Sequence, residues 1–162
     1  MTLAQHDGIY ENPFGEGQPC FGCSPTHPIG FRLQFTRDGE WVRTSMTPHD
    51  RYEGPPGIMH GGLVGTLADE VAAWAVVALK EKFGFTAEFK GRLKGPIRTG
   101  KIVSARARIV QDGRRLVKVE VFLAQDEQDL FEGQFSFVLV DRAGAEKLIG
   151  TVPPAWERFM RE

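Results

Sequence analysis

The sequence predicts an α+β domain in which one long buried helix is followed by an antiparallel run of strands. Residues 62–79 carry apolar side chains over most of a helix circumference. Residues 101–110, 115–125 and 130–140 alternate apolar and polar side chains and are separated by short polar turns. A hairpin at residues 30–46 precedes the helix. One helix followed by successive strands is typical of the α+β class.

The first 28 residues are rich in glycine, proline and polar side chains and are predicted to form an irregular arm. The arm contains Cys20 and Cys23, the only two cysteines of the chain. A structural zinc site needs about four ligands, and His27 would supply only a third. A redox pair lacks a surrounding thioredoxin-like strand and helix. We therefore expect two cysteines in an entry loop, with no metal and no cofactor.

The hairpin consists of residues 30–35 and 41–46, joined by a turn at residues 37–40. Residues 47–59 form a loop rich in proline and glycine. Loops of this kind often carry functional groups.

A strand at residues 86–93 follows the helix, and Gly95 and Pro96 are predicted to break it. The three long alternating strands come next. The tail, residues 150–162, includes Trp156 and is compatible with a short closing helix without chemistry.

The length of 162 residues fits one domain, and 41% hydrophobic with 25% charged residues is an ordinary soluble composition. The formal net charge of −1 gives no general argument for a nucleic-acid or membrane partner. Residues 1–7 lack the basic and apolar stretches of a secretory signal. Acids within the apolar helix argue against a membrane span. We expect a cytoplasmic protein.

The start of the helix is predicted to bind an anion or oxyanion. Gly61 and Gly62 expose backbone amides at the positive end of the helix dipole. Asp69 lies about two turns, roughly 10 Å, further along nearly the same face. One chain is therefore not expected to bring both groups to one carbonyl, whereas two antiparallel helices across a two-fold axis could. The spacing predicts at least a dimer.

Asp69 and Glu70 lie in an apolar helix, where a carboxylate must be paired, be hydrated or take part in catalysis. Asp69 is either a catalytic acid or a helix acid bonded to a neighbouring hydroxyl such as Thr66. Glu70 points about 100° away around the helix and is expected to be structural or interfacial.

The run His60-Gly61-Gly62 and the later run Leu67-Ala68-Asp69-Glu70 resemble the central helix of the hotdog-fold thioesterases. The resemblance is strongest to acyl-CoA thioesterases similar to the phenylacetate-pathway enzyme. It covers roughly residues 20–140 and includes a Gly-Pro-Pro-Gly lead-in. It implies a curved antiparallel sheet wrapped around the helix.

The resemblance also implies roles for individual residues. Asp69, nine residues after His60, would be the nucleophile or general base, and the Gly61 amide would donate to the thioester carbonyl. His60 is counted with these catalytic residues: it could act as a base, but its glycine-flanked position fits better a side chain that shapes the turn and hydrogen-bonds at the pocket. Gly62 and Thr86 are expected to line the substrate site.

Related enzymes often place an amide side chain in the loop before the histidine. This chain has Gly54 six residues before His60 and Glu53 seven before. Either no side chain takes the place of that amide in this chain, or Glu53 does.

A basic cluster brackets the break after the strand at 86–93. It is suited to the phosphates of coenzyme A through charge-assisted hydrogen bonds. The alternative is a solvated strand edge, where lysines discourage sheet pairing. The cluster consists of Arg92, Lys94, Arg98 and Lys101.

The leading hypothesis is an acyl-CoA thioesterase that works as a homodimer or as a homotetramer built from two dimers, without a cofactor. A hotdog dehydratase would carry an acid and a histidine close together in one loop, a pattern we do not find. The non-enzymatic alternative is a hotdog domain that binds acyl-CoA as a sensor or carrier. No helix-turn-helix segment accompanies it, which disfavours a transcriptional sensor.

Overall fold

A computed structural model describes residues 8–15 and 17–160, in which a seven-stranded antiparallel sheet packs around one long helix. The strands follow the order β1-β2-β3-β5-β6-β7-β4, with every neighbouring pair antiparallel. The predicted α+β architecture is confirmed. The expectation about residues 1–7, and the tail end at 161–162, lie outside the described residues. The strands are β1 (Gly8–Tyr10), β2 (Phe35–Asp38), β3 (Trp41–Met46), β4 (Gly84–Leu93), β5 (Val103–Asp112), β6 (Leu116–Gln125) and β7 (Gln128–Leu139).

The central helix α1 spans Gly61–Ala75 and continues through one π-helical turn, Val76–Lys80. This confirms the helix predicted at residues 62–79. It packs across β3 to β7, and Val64, Leu67 and Val71 have no exposed surface. Full burial of each such side chain contributes about 1.5–3 kcal/mol, so α1 and the sheet hold each other in place.

Among the described residues, one helical stretch, Gly61–Lys80, is long and apolar enough to cross a membrane by length and composition alone. The core helix of a soluble domain passes the same test. Here the sheet covers the apolar side chains of this stretch.

The first hairpin differs from the prediction in its first strand. β2 occupies Phe35–Asp38 rather than residues 30–35. The side chains of Phe31 and Leu33 are buried, as the alternation indicated. Their N–H groups, however, donate to two carbonyls of the turn between the cysteines, at 2.9 Å each. The alternation reported burial correctly, but the backbone pairs with a loop instead of the sheet.

Besides a short 3₁₀ helix at Asp50–Tyr52 within the loop before α1, two elements were not predicted. The arm expected to be irregular contributes the short strand β1 to the sheet edge beside β2. A second helix, α2 (Arg142–Ile149), follows β7; the Asp141 side chain caps it by accepting the Gly144 N–H at 2.7 Å. Within the predicted tail, a short 3₁₀ helix at Pro154–Met160 closes the described chain.

Candidate active site

The first turn of α1 is capped by the side chain of His60, whose Nδ1 accepts the Gly62 N–H at 3.0 Å. The His60 carbonyl accepts the next two amides, those of Leu63 and Val64. Among the described residues, no acceptor meets the N–H of Gly61. The space beside Gly61 is open, because a Cβ there would have no neighbour within 4 Å. Of the two glycine amides expected to hold an oxyanion, the Gly61 amide is therefore the available one.

Asp69 projects from the middle of α1 toward β4 and is half-buried. The Thr86 hydroxyl, at the start of β4, donates to Asp69 Oδ1 at 2.6 Å. Thr66, the hydroxyl considered as a partner from the sequence, instead donates to the Gly62 carbonyl at 3.0 Å. Burial raises the pKa of the Asp69 carboxyl above its ordinary value, and the hydrogen bond from Thr86 opposes that shift.

An open cleft of about 460 Å³ lies between α1 and β4. It brings together four residues predicted to form the site, Gly61, Gly62, Asp69 and Thr86, beside the ring of Phe89. Glycines leave the helix backbone bare on this side, so a substrate can approach it closely. Two helical turns, roughly 10 Å, still separate Asp69 from the helix start.

Glu53 is not among the residues that line this cleft within one chain. Its Oε1 accepts a hydrogen bond from the Thr99 hydroxyl at 2.9 Å, and its backbone bridges to Met59. The carboxylate thereby ties the loop before α1 to the loop after β4. Its predicted contact with substrate remains a prediction.

The basic cluster at the end of β4 and in the loop after it is partly engaged in ion pairs. Lys94 pairs with Glu132 at 2.6 Å, and Lys101 pairs with Asp126. Arg92 and Arg98 are exposed, and neither takes part in the ion pairs formed within residues 8–15 and 17–160. The two arginines are therefore the members best placed to meet a phosphate.

Glu70 points away from the cleft to the N-terminal arm, a contact that the sequence analysis missed. The Cys20 thiol and the Trp74 indole N–H both donate to Glu70 Oε1, each at 3.2 Å. Burial, and next the charge that Cys20 carries when it is a thiolate, raise the pKa of Glu70 to about 8. Hydrogen bonding from Cys23 lowers the pKa of Cys20. His27, considered beside the cysteines from the sequence, instead accepts the Ile29 N–H at Nδ1.

Residues 56–132, which include α1 and β4 to β6, match the family model of the thioesterase superfamily. No match is found among curated protein sequences. Among solved structures, a thioesterase from Haemophilus influenzae aligns with a TM-score of 0.64 and 20% identity, over 73% of this chain and 85% of its own. A hypothetical thioesterase from Streptococcus pneumoniae, solved with coenzyme A, aligns with a TM-score of 0.62 and 16% identity, over 66% and 87%.

A putative thioesterase from Ralstonia eutropha, described as related to phenylacetic acid degradation, aligns with a TM-score of 0.61 and 20% identity, over 67% of this chain and 85% of its own. At these identities the structural likeness shows the fold alone. The family match covers the helix that carries His60, Gly61 and Asp69. Residues 56–132 of this chain are thus similar to the thioesterase superfamily, and the antiparallel sheet around α1 is the hotdog fold.

Proposed function

We propose that the protein hydrolyses an acyl-CoA thioester to the free acid and coenzyme A. The observation that carries this proposal is the cleft between α1 and β4. Asp69, which accepts a hydrogen bond from Thr86, lines this cleft together with Gly61, whose N–H meets no acceptor within residues 8–15 and 17–160. Thioester hydrolysis needs a base or nucleophile and a donor for the developing oxyanion, and the cleft offers one of each.

In the proposed reaction, the thioester oxygen accepts a hydrogen bond from the Gly61 N–H at the positive end of α1. Asp69 either removes a proton from the water that attacks the carbonyl carbon, or attacks it directly and forms an anhydride that water then cleaves. Both routes consume one water and break the C–S bond. Coenzyme A leaves as a thiolate and takes a proton from solvent. Because a thiolate leaves readily, no strong general acid is required.

The outer edge of β4 supports the proposal that the site is completed by a second copy. β4 ends the sheet, and nine of its ten residues pair on one side with β7, the exception being Ala87 at a bulge. Phe89 and Leu93 are 61% and 51% exposed on it. A long edge strand with exposed apolar side chains is a template for pairing with another chain. Antiparallel pairing of two β4 strands would place the two clefts side by side.

Such a dimer would resolve the two-turn gap within one chain. The helix start of one copy would polarise the carbonyl that Asp69 of the other copy attacks. We therefore propose a homodimer as the smallest active unit, with a dimer of dimers as the larger assembly.

We place the coenzyme A phosphates on Arg92 and Arg98, with Lys94 and Lys101 beside them. The four cations lie at the end of β4 and in the loop that follows it. The Streptococcus pneumoniae structure was solved with coenzyme A, which supports a ligand of that type for this fold.

The test is a panel of acyl-CoAs with aliphatic chains of increasing length and with aromatic acyl groups. Free acid should be measured by mass spectrometry, since a thiol reagent would also react with the two cysteines of the protein. Acid release above the protein-free blank supports hydrolysis. Binding without release would identify an acyl-CoA sensor or carrier. If the protein neither binds nor hydrolyses any acyl-CoA of the panel, the proposal is overturned.

A further inference from the structure

A second cluster of reactive side chains lies outside the cleft, where the N-terminal arm meets α1. One ligand atom from each of Cys20, Cys23 and Glu70 lies within 4.8 Å of the other two. Cys20 Sγ is 3.2 Å from Glu70 Oε1. Cys23 is buried and Cys20 is partly exposed. Residues 50 positions apart in the chain thus converge on one point.

The turn that carries the two cysteines is shaped to place both sulfurs on one side. The Cys23 N–H donates to Cys20 Sγ at 3.3 Å, and the Ser24 N–H donates to the Cys20 carbonyl at 3.1 Å. Gly22 lies between the cysteines against the Glu70 side chain, and a Cβ at that position would collide with the carboxylate. Glycine at this point of the turn therefore permits the close approach of Glu70.

A negative charge on Glu70 would be poorly balanced by its neighbours. Its carboxylate accepts from the Cys20 thiol and the Trp74 indole N–H, neither of which is positively charged. Placing a charged carboxylate in largely buried surroundings costs several kcal/mol, so such a group is protonated, paired with a cation or bound to a metal. A cation shared by the carboxylate and two thiolates would supply the missing charge.

We propose that Cys20, Cys23 and Glu70 bind one zinc ion. Two thiolates three residues apart and one carboxylate are ligands that zinc accepts. Zinc bonds of about 2.3 Å to sulfur and about 2.0–2.2 Å to oxygen place tetrahedral ligands roughly 3.5–3.8 Å apart. The Cys20 and Glu70 atoms would move slightly apart from 3.2 Å, and the other ligand atoms already lie within 4.8 Å of one another. The thiol protons pass to solvent on binding.

The fourth ligand position falls to the side chain of Gln18 or to water. Gln18 Oε1 lies 3.9 Å from Cys23 Sγ, on the described part of the arm. This arrangement differs from the expectation drawn from the sequence, which considered His27 as the third ligand and predicted no metal. The third ligand is supplied by α1, so the pattern is invisible along the chain.

The role of this site is structural. It fixes the arm to α1 at Glu70, the residue directly after Asp69. None of the three ligands lines the cleft between α1 and β4. We therefore expect metal binding to stabilise the fold. Its test does not depend on whether the protein hydrolyses thioesters.

The experiment uses the full chain, reduced and freed of metal, and then titrated with Co²⁺ and Zn²⁺. Co²⁺ should give a thiolate charge-transfer band and the visible bands of tetrahedral coordination, saturating at one equivalent and displaced by Zn²⁺. Protein purified without chelator should hold about one zinc per chain by elemental analysis. Zinc at about 100-fold above Kd should raise Tm by roughly 5–10 °C.

Cys20→Ser, Cys23→Ser and Glu70→Gln should each abolish or strongly weaken the cobalt spectrum, whereas the matched control Asp69→Asn should keep it. The wild-type spectrum decides the matter even where a variant fails to fold. Absence of thiolate-to-cobalt absorption in reduced wild-type protein, or metal binding unchanged in all three variants, would overturn the proposal. The proposal would also be overturned if the protein recovered from cells contained a Cys20–Cys23 disulfide, detected as a mass two units lower, and bound no metal after reduction.

Discussion

Asp69 is held toward the cleft by the hydroxyl of Thr86, which donates to it at 2.6 Å. Hydrogen bonds to charged groups contribute about 1.5–3 kcal/mol, so their loss matters even where the fold is intact. Thr86→Val should therefore lower kcat for the best acyl-CoA by about 10-fold or more, because Asp69 loses its orientation. Thr86→Ser keeps the hydroxyl and should retain most activity. Equal kcat for the valine and serine variants would show that the Thr86 hydroxyl does not orient Asp69.

His60 acts at the same end of α1 through its cap on the Gly62 amide. Loss of a helix cap costs about 1 kcal/mol, which corresponds to a fall in Tm of about 2–4 °C for a chain of this size. His60→Ala should show that fall, measured by thermal unfolding. His60→Asn, which can cap the helix with a side-chain oxygen, should recover much of it. An alanine variant with unchanged Tm but abolished kcat would instead assign His60 a direct chemical role.

Among the elements, the strand β4 borders the cleft on one side and forms the outer edge of the sheet on the other. Two predictions concern this strand. The first concerns assembly. Leu93→Lys places a charge on the exposed edge and should shift the protein toward monomers by light scattering, with a parallel loss of activity. Leu148→Lys on α2, where the leucine is 61% exposed, is the matched control and should leave both unchanged.

A wild-type protein that is monomeric at micromolar concentration and fully active would contradict the assignment of a shared site. In that case the cleft of one chain would have to hold both groups that act on the carbonyl.

The second prediction concerns the end of β4, where Arg92 is exposed and Lys94 is paired with Glu132. Arg92→Glu should raise KM for acyl-CoA with little change in kcat, because phosphate contacts remote from the carbonyl bind ground and transition states alike. Lys94→Glu should act in the same direction but less strongly, since its charge is already partly neutralised. Arg114→Glu, in the turn between β5 and β6, is the control. If KM is unchanged at both positions, the nucleotide binds elsewhere.

At the scale of the whole molecule, side-chain periodicity predicted which residues are buried better than it predicted which strands pair. Phe31 and Leu33 are buried as expected, yet their amides donate to the Phe21 and Gly22 carbonyls of the cysteine turn instead of to a neighbouring strand. Helix α2 had a readable signal, since Asp141 caps its start and Gly150 with φ of 80° ends it. The short strand β1 has too few residues to show a period.

In the site, too, residues close in the sequence were predicted better than contacts between distant parts of the chain. The geometry around Gly61, His60 and Asp69 lies within one stretch of the chain, so local spacing was informative. Thr86 was placed near the substrate, but its bond to Asp69 depends on how β4 crosses α1. The contact of Cys20 with Glu70 joins residues 50 positions apart and depends on the path of the arm, which no local pattern encodes.

The central claim is that Asp69 is the acid that acts on the thioester, and Asp69→Asn tests it most directly because the change keeps the shape and removes the charge. With the acyl-CoA that wild type hydrolyses best, kcat measured by release of free acid should fall on the order of 10² or more, while KM stays within a few-fold. Glu70→Gln, compared at a temperature where both variants are folded, should retain far more activity. Near-wild-type acid release by Asp69→Asn, or a larger loss in Glu70→Gln than in Asp69→Asn, would contradict the account.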